Sequence, residues 1–176
     1  MKIISFDPSY KQIGCFIYSY EKNIKNCIEM EAIHIVNEYD SSYEDKFLYE
    51  LATWLKRIFN SDMHLLVEYT NIPRFKSAIP INRVIGVIYA TLHPFIVSWR
   101  EISMTTIYSH FKINNTSKKY ELHKVLLETL PDSILLRKII LTKNIMKLEK
   151  IPKEKLPEDC LDAYALIKYI LDFNSQ

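Results

Sequence analysis

Asp7, Glu68, Asp159 and Asp162 are the residues of this sequence best placed to do chemistry. Asp7 follows the β-branched run Lys2 to Phe6, Glu68 follows Leu65-Leu66-Val67, and Asp159 and Asp162 stand three apart just after Pro157. Residues at i and i+3 share a helix face, so the last two can converge on one point. Carboxylates gathered together repel one another unless a cation neutralises them. Donors that are all hard oxygens suit Mg2+ or Mn2+, and two such ions held by shared carboxylates are an apparatus for hydrolysing phosphodiesters. Each acid also has an ordinary explanation. Asp before Pro initiates turns, a strand end is often solvated, and the first turn of a helix favours an acid. Asp162 is the hardest to dismiss, because its neighbours Leu161, Ala163, Ala165 and Leu166 are apolar and an acid among them needs a partner.

Composition removes competing chemistries. Gly14 and Gly86 are the only glycines, where average usage of about 7% would give roughly a dozen. A glycine-rich phosphate cradle is therefore impossible, which excludes P-loop NTPases and dinucleotide-binding Rossmann proteins. Five histidines, among them His34 and His123, form no HExxH and no short pair, and Cys15, Cys27 and Cys160 form no CxxC, so a zinc site is disfavoured. The odd, scattered cysteines read as reduced thiols of an intracellular, cytoplasmic protein, and Met1 to Phe6 is too short for a secretory signal. The longest apolar stretch, Val84 to Val97, is broken by His93 and Pro94 and falls short of the ~18 residues a membrane span needs.

The elements that must position the acids follow from periodicity. Residues 1 to 36 read as three consecutive antiparallel strands, Lys2–Phe6, Ile13–Tyr20 and Cys27–Val36, with Glu21 to Asn26 as a turn. Ser41 or Ser42 then caps a helix over about 43 to 60, in which Phe47, Leu51, Trp54, Leu55 and Ile58 recur at helical spacing. Met63–Tyr69 is a buried strand, parallel to the first if that helix is a crossover, which brings Glu68 to the same sheet edge as Asp7. After the linker Thr70 to Lys76 comes a helix over 77–92, apolar nearly all round and so either deeply buried or an oligomer interface. Phe95–Trp99 is another strand, a third helix covers about 118 to 130, and Pro157 opens a last helix to about Phe173. Residues 102–113 are ambiguous and 131–156 carry no clear pattern. The fold class is α/β with a mixed five-stranded sheet, three antiparallel strands followed by parallel ones, flanked by helices.

Charge is unevenly placed. Arg100 to Lys155 holds twelve Lys and Arg against six Asp and Glu, whereas the rest holds eleven against fifteen. A basic segment beside an acidic body suits a protein that holds a polyanion with one part and a cation with another, although a lysine-rich solvated surface accounts for it equally well.

Together, Asp7-Pro8-Ser9 with Gly14 soon after, Val67-Glu68-Tyr69, and Glu158-Asp159-Cys160-Leu161-Asp162-Ala163-Tyr164-Ala165 resemble the RuvC-type Holliday junction resolvases of bacteria and bacteriophages, within the RNase H-like nuclease superfamily. Asn82 to Val87 is similar to that family's dimer-helix region, and Ser117-Lys118-Lys119 lies where the family has a basic residue before a helix. The resemblance implies a single RNase H-like nuclease domain over 1–176. It implies a homodimer, formed through helix 77–92, that binds a four-way DNA junction and nicks it with Mg2+ or Mn2+, two ions per site. Asp7, Glu68, Asp159 and Asp162 match the four acidic positions of that site, as both catalytic residues and metal ligands. Tyr69 is expected to stack on an unpaired base at the junction centre. Arg74, Lys76, Lys118 and Lys119 are expected on phosphates. Three departures stand out: Ser9 replaces the usual glycine, Ser103 sits where many members carry a second loop lysine, and 131–156 is longer than the usual connection. Two rival functions share the fold, a nuclease acting on RNA-DNA hybrids or other branched DNA, and a DNA-binding protein without turnover.

Overall fold

Ile3 and Ile4, adjacent in the chain, are buried in different cores. Successive side chains of a strand point to opposite faces, so one apolar pair already shows a sheet covered on both sides. A computed structural model describes residues 1–20, 27–39, 44–69, 75–113, 118–132, 134–141, 146–150 and 155–173, without the side chains of 27, 28, 75–78 and 146–150. The elements run β1 (Lys2–Pro8), β2 (Gln12–Tyr20), β3 (Cys27–Asn37), α1 (Glu44–Ile58), β4 (Met63–Tyr69), α2 (Phe75–Leu92), β5 (Ile96–Ser103), α3 (Met104–His110), α4 (Lys118–Thr129), β6 (Leu135–Leu141), β7 (Met146–Lys150) and α5 (Glu158–Phe173). The expected turn 21–26 and the caps at Ser41 and Ser42 lie outside the described residues.

The strands form one mixed sheet in the order β5-β4-β1-β2-β3-β6-β7. β1, β2 and β3 are antiparallel neighbours, β4 joins β1 in parallel through the α1 crossover, and β5 joins β4 in parallel. The five expected strands are all present. Two more come from the segment without a clear pattern: β6 pairs with β3 in parallel and β7 with β6 antiparallel, so the sheet has seven strands. The ambiguous 102–113 resolves into the end of β5 and the seven-residue α3, whose N-cap Ser103 accepts a hydrogen bond from the Thr106 amide at 3.2 Å. β5 is longer than Phe95–Trp99 because a 3-10 turn at His93–Phe95 delays its start while pairing with β4 carries it on to Ser103.

Helices α1 and α2 cover one face through Phe47, Leu51, Trp54, Leu55, Val84 and Ile88, while α3, α4 and α5 cover the other. α5 is held most deeply: Cys160 through Ile167 is buried without a break. Each large apolar side chain among them contributes roughly 1.5–3 kcal/mol by leaving water, which fixes the helix that carries two of the four acids. No helix among the described residues is long and apolar enough to cross a membrane.

Candidate active site

Parallel pairing of β1 with β4 sets Phe6 beside Val67, so Asp7 and Glu68, the next residue on each strand, reach the same sheet edge on the α5 face. Their side chains are hydrogen-bonded to each other. Two carboxylates can share a hydrogen bond only if one keeps its proton. Burial, reinforced by the negative charge of Glu68 and then by Asp162 and Asp159, raises Asp7 far above the usual carboxylate range. Glu68 is also raised, chiefly by burial, and the hydrogen bond it accepts from Asp7 draws it back. Each is thus harder to ionise than an isolated carboxyl.

The helical acids reach this edge because of one glycine. Gly14 on β2 stands opposite Asp7, and a Cβ built there would lie 1.9 Å from the backbone oxygen of Asp159 and 2.1 Å from its carbonyl carbon. Only a residue without a side chain lets the first turn of α5 lie against β2. Pro157 starts that turn, its carbonyl accepting from the amides of Cys160 at 3.0 Å and Leu161 at 3.2 Å. Farther along, the Ser5 hydroxyl on β1 donates to the Ala163 carbonyl at 2.7 Å, a buried contact that sets the depth of the helix over the strand.

Asp162 is only 5% exposed, and both its oxygens are occupied. Lys119 Nζ lies 2.9 Å from Oδ2 and 3.2 Å from Glu158 Oε2, while His123 Nε2 lies 2.8 Å from Oδ1. The two partners are one turn apart on α4 and so share a face. Asp159 is more open. His34 Nε2 is 3.9 Å from its Oδ2, but burial and nearby Lys138 lower the His34 pKa to about 4, so the ring is neutral near pH 7 and the contact is no charge pair. The same nitrogen lies 3.2 Å from Gln12 Oε1, to which it donates. Burial raises Asp159, with Lys119 opposing and Asp162 adding to the rise.

The four acids therefore share one neighbourhood, in which Asp7 feels the charge of the other three. Among the described residues, no three His, Cys, Asp or Glu side chains are drawn together as a ready metal cage. The donor chemistry nevertheless fits a hard divalent ion. Four carboxyl groups are offset only in part, by the proton that burial retains on the strand side and the Lys119 ammonium on the helix side, which leaves negative charge for a divalent ion to meet.

The expected DNA contacts divide. Tyr69, at the end of β4, is 49% exposed and borders a cavity of about 550 Å³ with Arg100, Ser103, Thr106 and Tyr169. Lys118 is exposed, its ammonium 5.9 Å from the centre of the Tyr108 ring. Lys119, expected on a phosphate, stands among the acids instead. Arg74 lies outside the described residues, and Lys76 belongs to α2 with its side chain undescribed. His123 escapes a reading for zinc spacing; the sequence signal is its four-residue step from Lys119, which puts both on one helix face.

No protein-family model matches the chain, and no curated protein matches it in sequence. Solved structures do match in three dimensions. RuvC of Thermus thermophilus in complex with a Holliday junction substrate superposes with a TM-score of 0.57 at 12% identity, over 94% of this chain and 90% of that one. The Fowlpox virus resolvase in complex with its substrate Holliday junction DNA gives 0.57 at 17% identity, over 98% of this chain and 99% of that one. The fold is RNase H-like. At such identities the RNase H-like frame is common ground, whereas the placement of Asp7, Glu68, Asp159 and Asp162 upon it is a property of this chain's own residues.

Proposed function

We propose that this chain is a single nuclease domain over 1–176 that resolves four-way DNA junctions by metal-dependent phosphodiester hydrolysis, working as a homodimer in the cytoplasm. The observation that carries the reading is the gathering of Asp7, Glu68, Asp159 and Asp162 at one sheet edge, in a fold also found in two resolvases whose structures hold junction DNA. Asp7 and Glu68 would hold Mg2+ or Mn2+ from the strand side, Asp159 and Asp162 from the helix side. Two ions bound there would supply an activated water and stabilise the leaving oxygen.

The chain's own residues do the rest. Rigid strands and the buried α5 fix the carboxylates, so that little reorganisation accompanies phosphate binding. Lys119, freed from Asp162 when a cation takes its place, faces the phosphate, and Lys118, Arg74 and Lys76 add backbone contacts. Tyr69, half exposed one residue beyond Glu68, stacks on a base left unpaired at the crossover. Ile79 and Tyr89 are large apolar residues exposed on α2, which supports packing of that helix against its twin. Cys15 and Cys160 as free, buried thiols are in keeping with a reducing compartment.

The test is a substrate panel of a four-way junction, a flap and an RNA-DNA hybrid, each with and without Mg2+, using wild type and Asp7→Asn. Paired nicks in the junction that require Mg2+ and vanish in the variant are expected. Preference for the hybrid or flap would make this another nuclease of the same fold, and junction binding without any cleavage would make it a DNA-binding protein.

A further inference from the structure

We propose that His123 is a positioning residue for Asp162, holding Oδ1 so that only Oδ2 is offered to a metal ion. The inference deepens, and rests on, the reading of Asp162 as a metal ligand. His123 is 8% exposed and Asp162 5%, and they meet at 2.8 Å. A carboxylate can only accept, so Nε2 carries the hydrogen and donates it. Leu122, His123 and Leu126 are the buried residues of α4, and the His123 side chain is 10% exposed against 47% for Lys119.

Lys119 makes the contrast. Its ammonium meets Oδ2 from the open side, with nearly half of its side chain exposed, and its second partner Glu158 is more exposed still. A flexible, strongly hydrated ammonium leaves such a place readily, whereas a buried donor that left Oδ1 would orphan both groups. A cation arriving at Asp162 therefore displaces Lys119 and leaves His123 where it is. Asp162 cannot swing to present both oxygens, and its free oxygen keeps a fixed direction relative to Asp7 and Glu68. Groups that orient a metal ligand in this way usually matter about 10- to 100-fold to metal affinity or activity.

Calorimetric titration of Mn2+ into DNA-free wild type, His123→Leu and His123→Gln tests this, with thermal melts of each metal-free protein alongside. His123→Leu keeps the bulk and loses the donor, and should bind about 10- to 100-fold more weakly. His123→Gln places an amide N–H near the position of Nε2 and should restore binding close to wild type. Equal affinity in wild type and His123→Leu, or a Gln variant as weak as the Leu variant, would overturn the assignment. Should the melts show His123→Leu unfolded, nitrogen-15 NMR of wild-type His123 decides: its protonated Nε2 should persist and shift as Mg2+ is added, and a signal lost or unmoved at saturation overturns the proposal. A wild-type protein that takes up neither ion would instead overturn the metal site itself.

Discussion

The strand half and the helix half of the acid cluster solve one problem in two ways. Both bury negative charge beneath the same sheet edge. Asp7 and Glu68, on neighbouring strands, are both raised, chiefly by burial, with Asp7 hydrogen-bonded to Glu68 and the charge of Lys119 only partly opposing the rise at Glu68. Asp162, facing α4 across a helix interface, takes Lys119 on one oxygen and His123 on the other. The difference teaches that, in the metal site proposed above, loading would have two requirements: the strand half would give up a proton to solvent, and the helix half would release a lysine that stays tethered nearby. pH would govern the first and ionic strength the second.

The largest effect should come from Asp7→Asn, which breaks the strand half alone. Cleavage with Mg2+ should fall below detection while junction binding survives, read on gels and by mobility shift. The same variant should flatten the pH dependence. An acid whose folded pKa is raised binds more protons folded than unfolded, so its contribution is full below its ordinary value of 3.8 and is lost as pH rises towards the folded value. Metal-free wild type should therefore melt at progressively lower temperature between pH 5 and 8, whereas Asp7→Asn, whose amide can still donate to Glu68, should lose much less over that range. An identical pH slope in both proteins would contradict a raised Asp7.

Gly14→Ala should strike the seam between the halves. The new methyl meets backbone rather than a yielding side chain, so the penalty belongs at about 3 kcal/mol, the upper end for overpacking, or beyond. Cleavage should fall with it as the first turn of α5 moves off β2. Chemical denaturation measures the stability, and a loss below about 1 kcal/mol would mean that α5 does not sit as closely as described.

On the helix half, Lys118→Ala and Lys119→Ala should behave differently. Loss of Lys118 should lower the magnitude of the salt slope of junction binding by about 0.9 for one phosphate contact on a duplex arm. Lys119→Ala should cost metal-free stability by about 1 kcal/mol, modest because the lysine is nearly half exposed, and should impair cleavage more than binding. Measured without divalent metal, matching salt slopes for the two variants would place Lys119 on the DNA and not with Asp162. The smallest effect expected is that of Tyr69→Ala on the salt slope. Stacking releases no counterions, so only cleavage and the distortion of a fluorescent base analogue at the crossover should change.

Much of this arrangement was legible because it depends on local periodicity. The runs ending at Asp7 and Glu68 are apolar and short, and α5 announces itself through Pro157 and the acids after it, so three elements and four candidates follow from spacing alone. What escaped depends on partners far away in sequence. β6 and β7 lie in a lysine-rich stretch: β6 takes its place by pairing with β3, a partner about a hundred residues earlier, and β7 then pairs only with β6. α3 has only seven residues and a serine cap, too little for a periodic signal. Lys119 reads as a surface cation until Asp162, 43 positions later, is placed against it. His123 was hidden in the same way, by an acid from another helix.

The final helix also dictates an order of events during synthesis. β1 leaves the ribosome well before α5, yet α5 packs on β1 and β2, and β6 must find β3 about a hundred residues away in sequence. Such distant pairings make for slow assembly. A nascent or prematurely ended chain that stops before residue 158 holds Asp7 and Glu68 but neither Asp159 nor Asp162. If the four acids form the proposed site, such a half-made copy would carry only its strand side, and the set would be complete only once translation had passed Asp162.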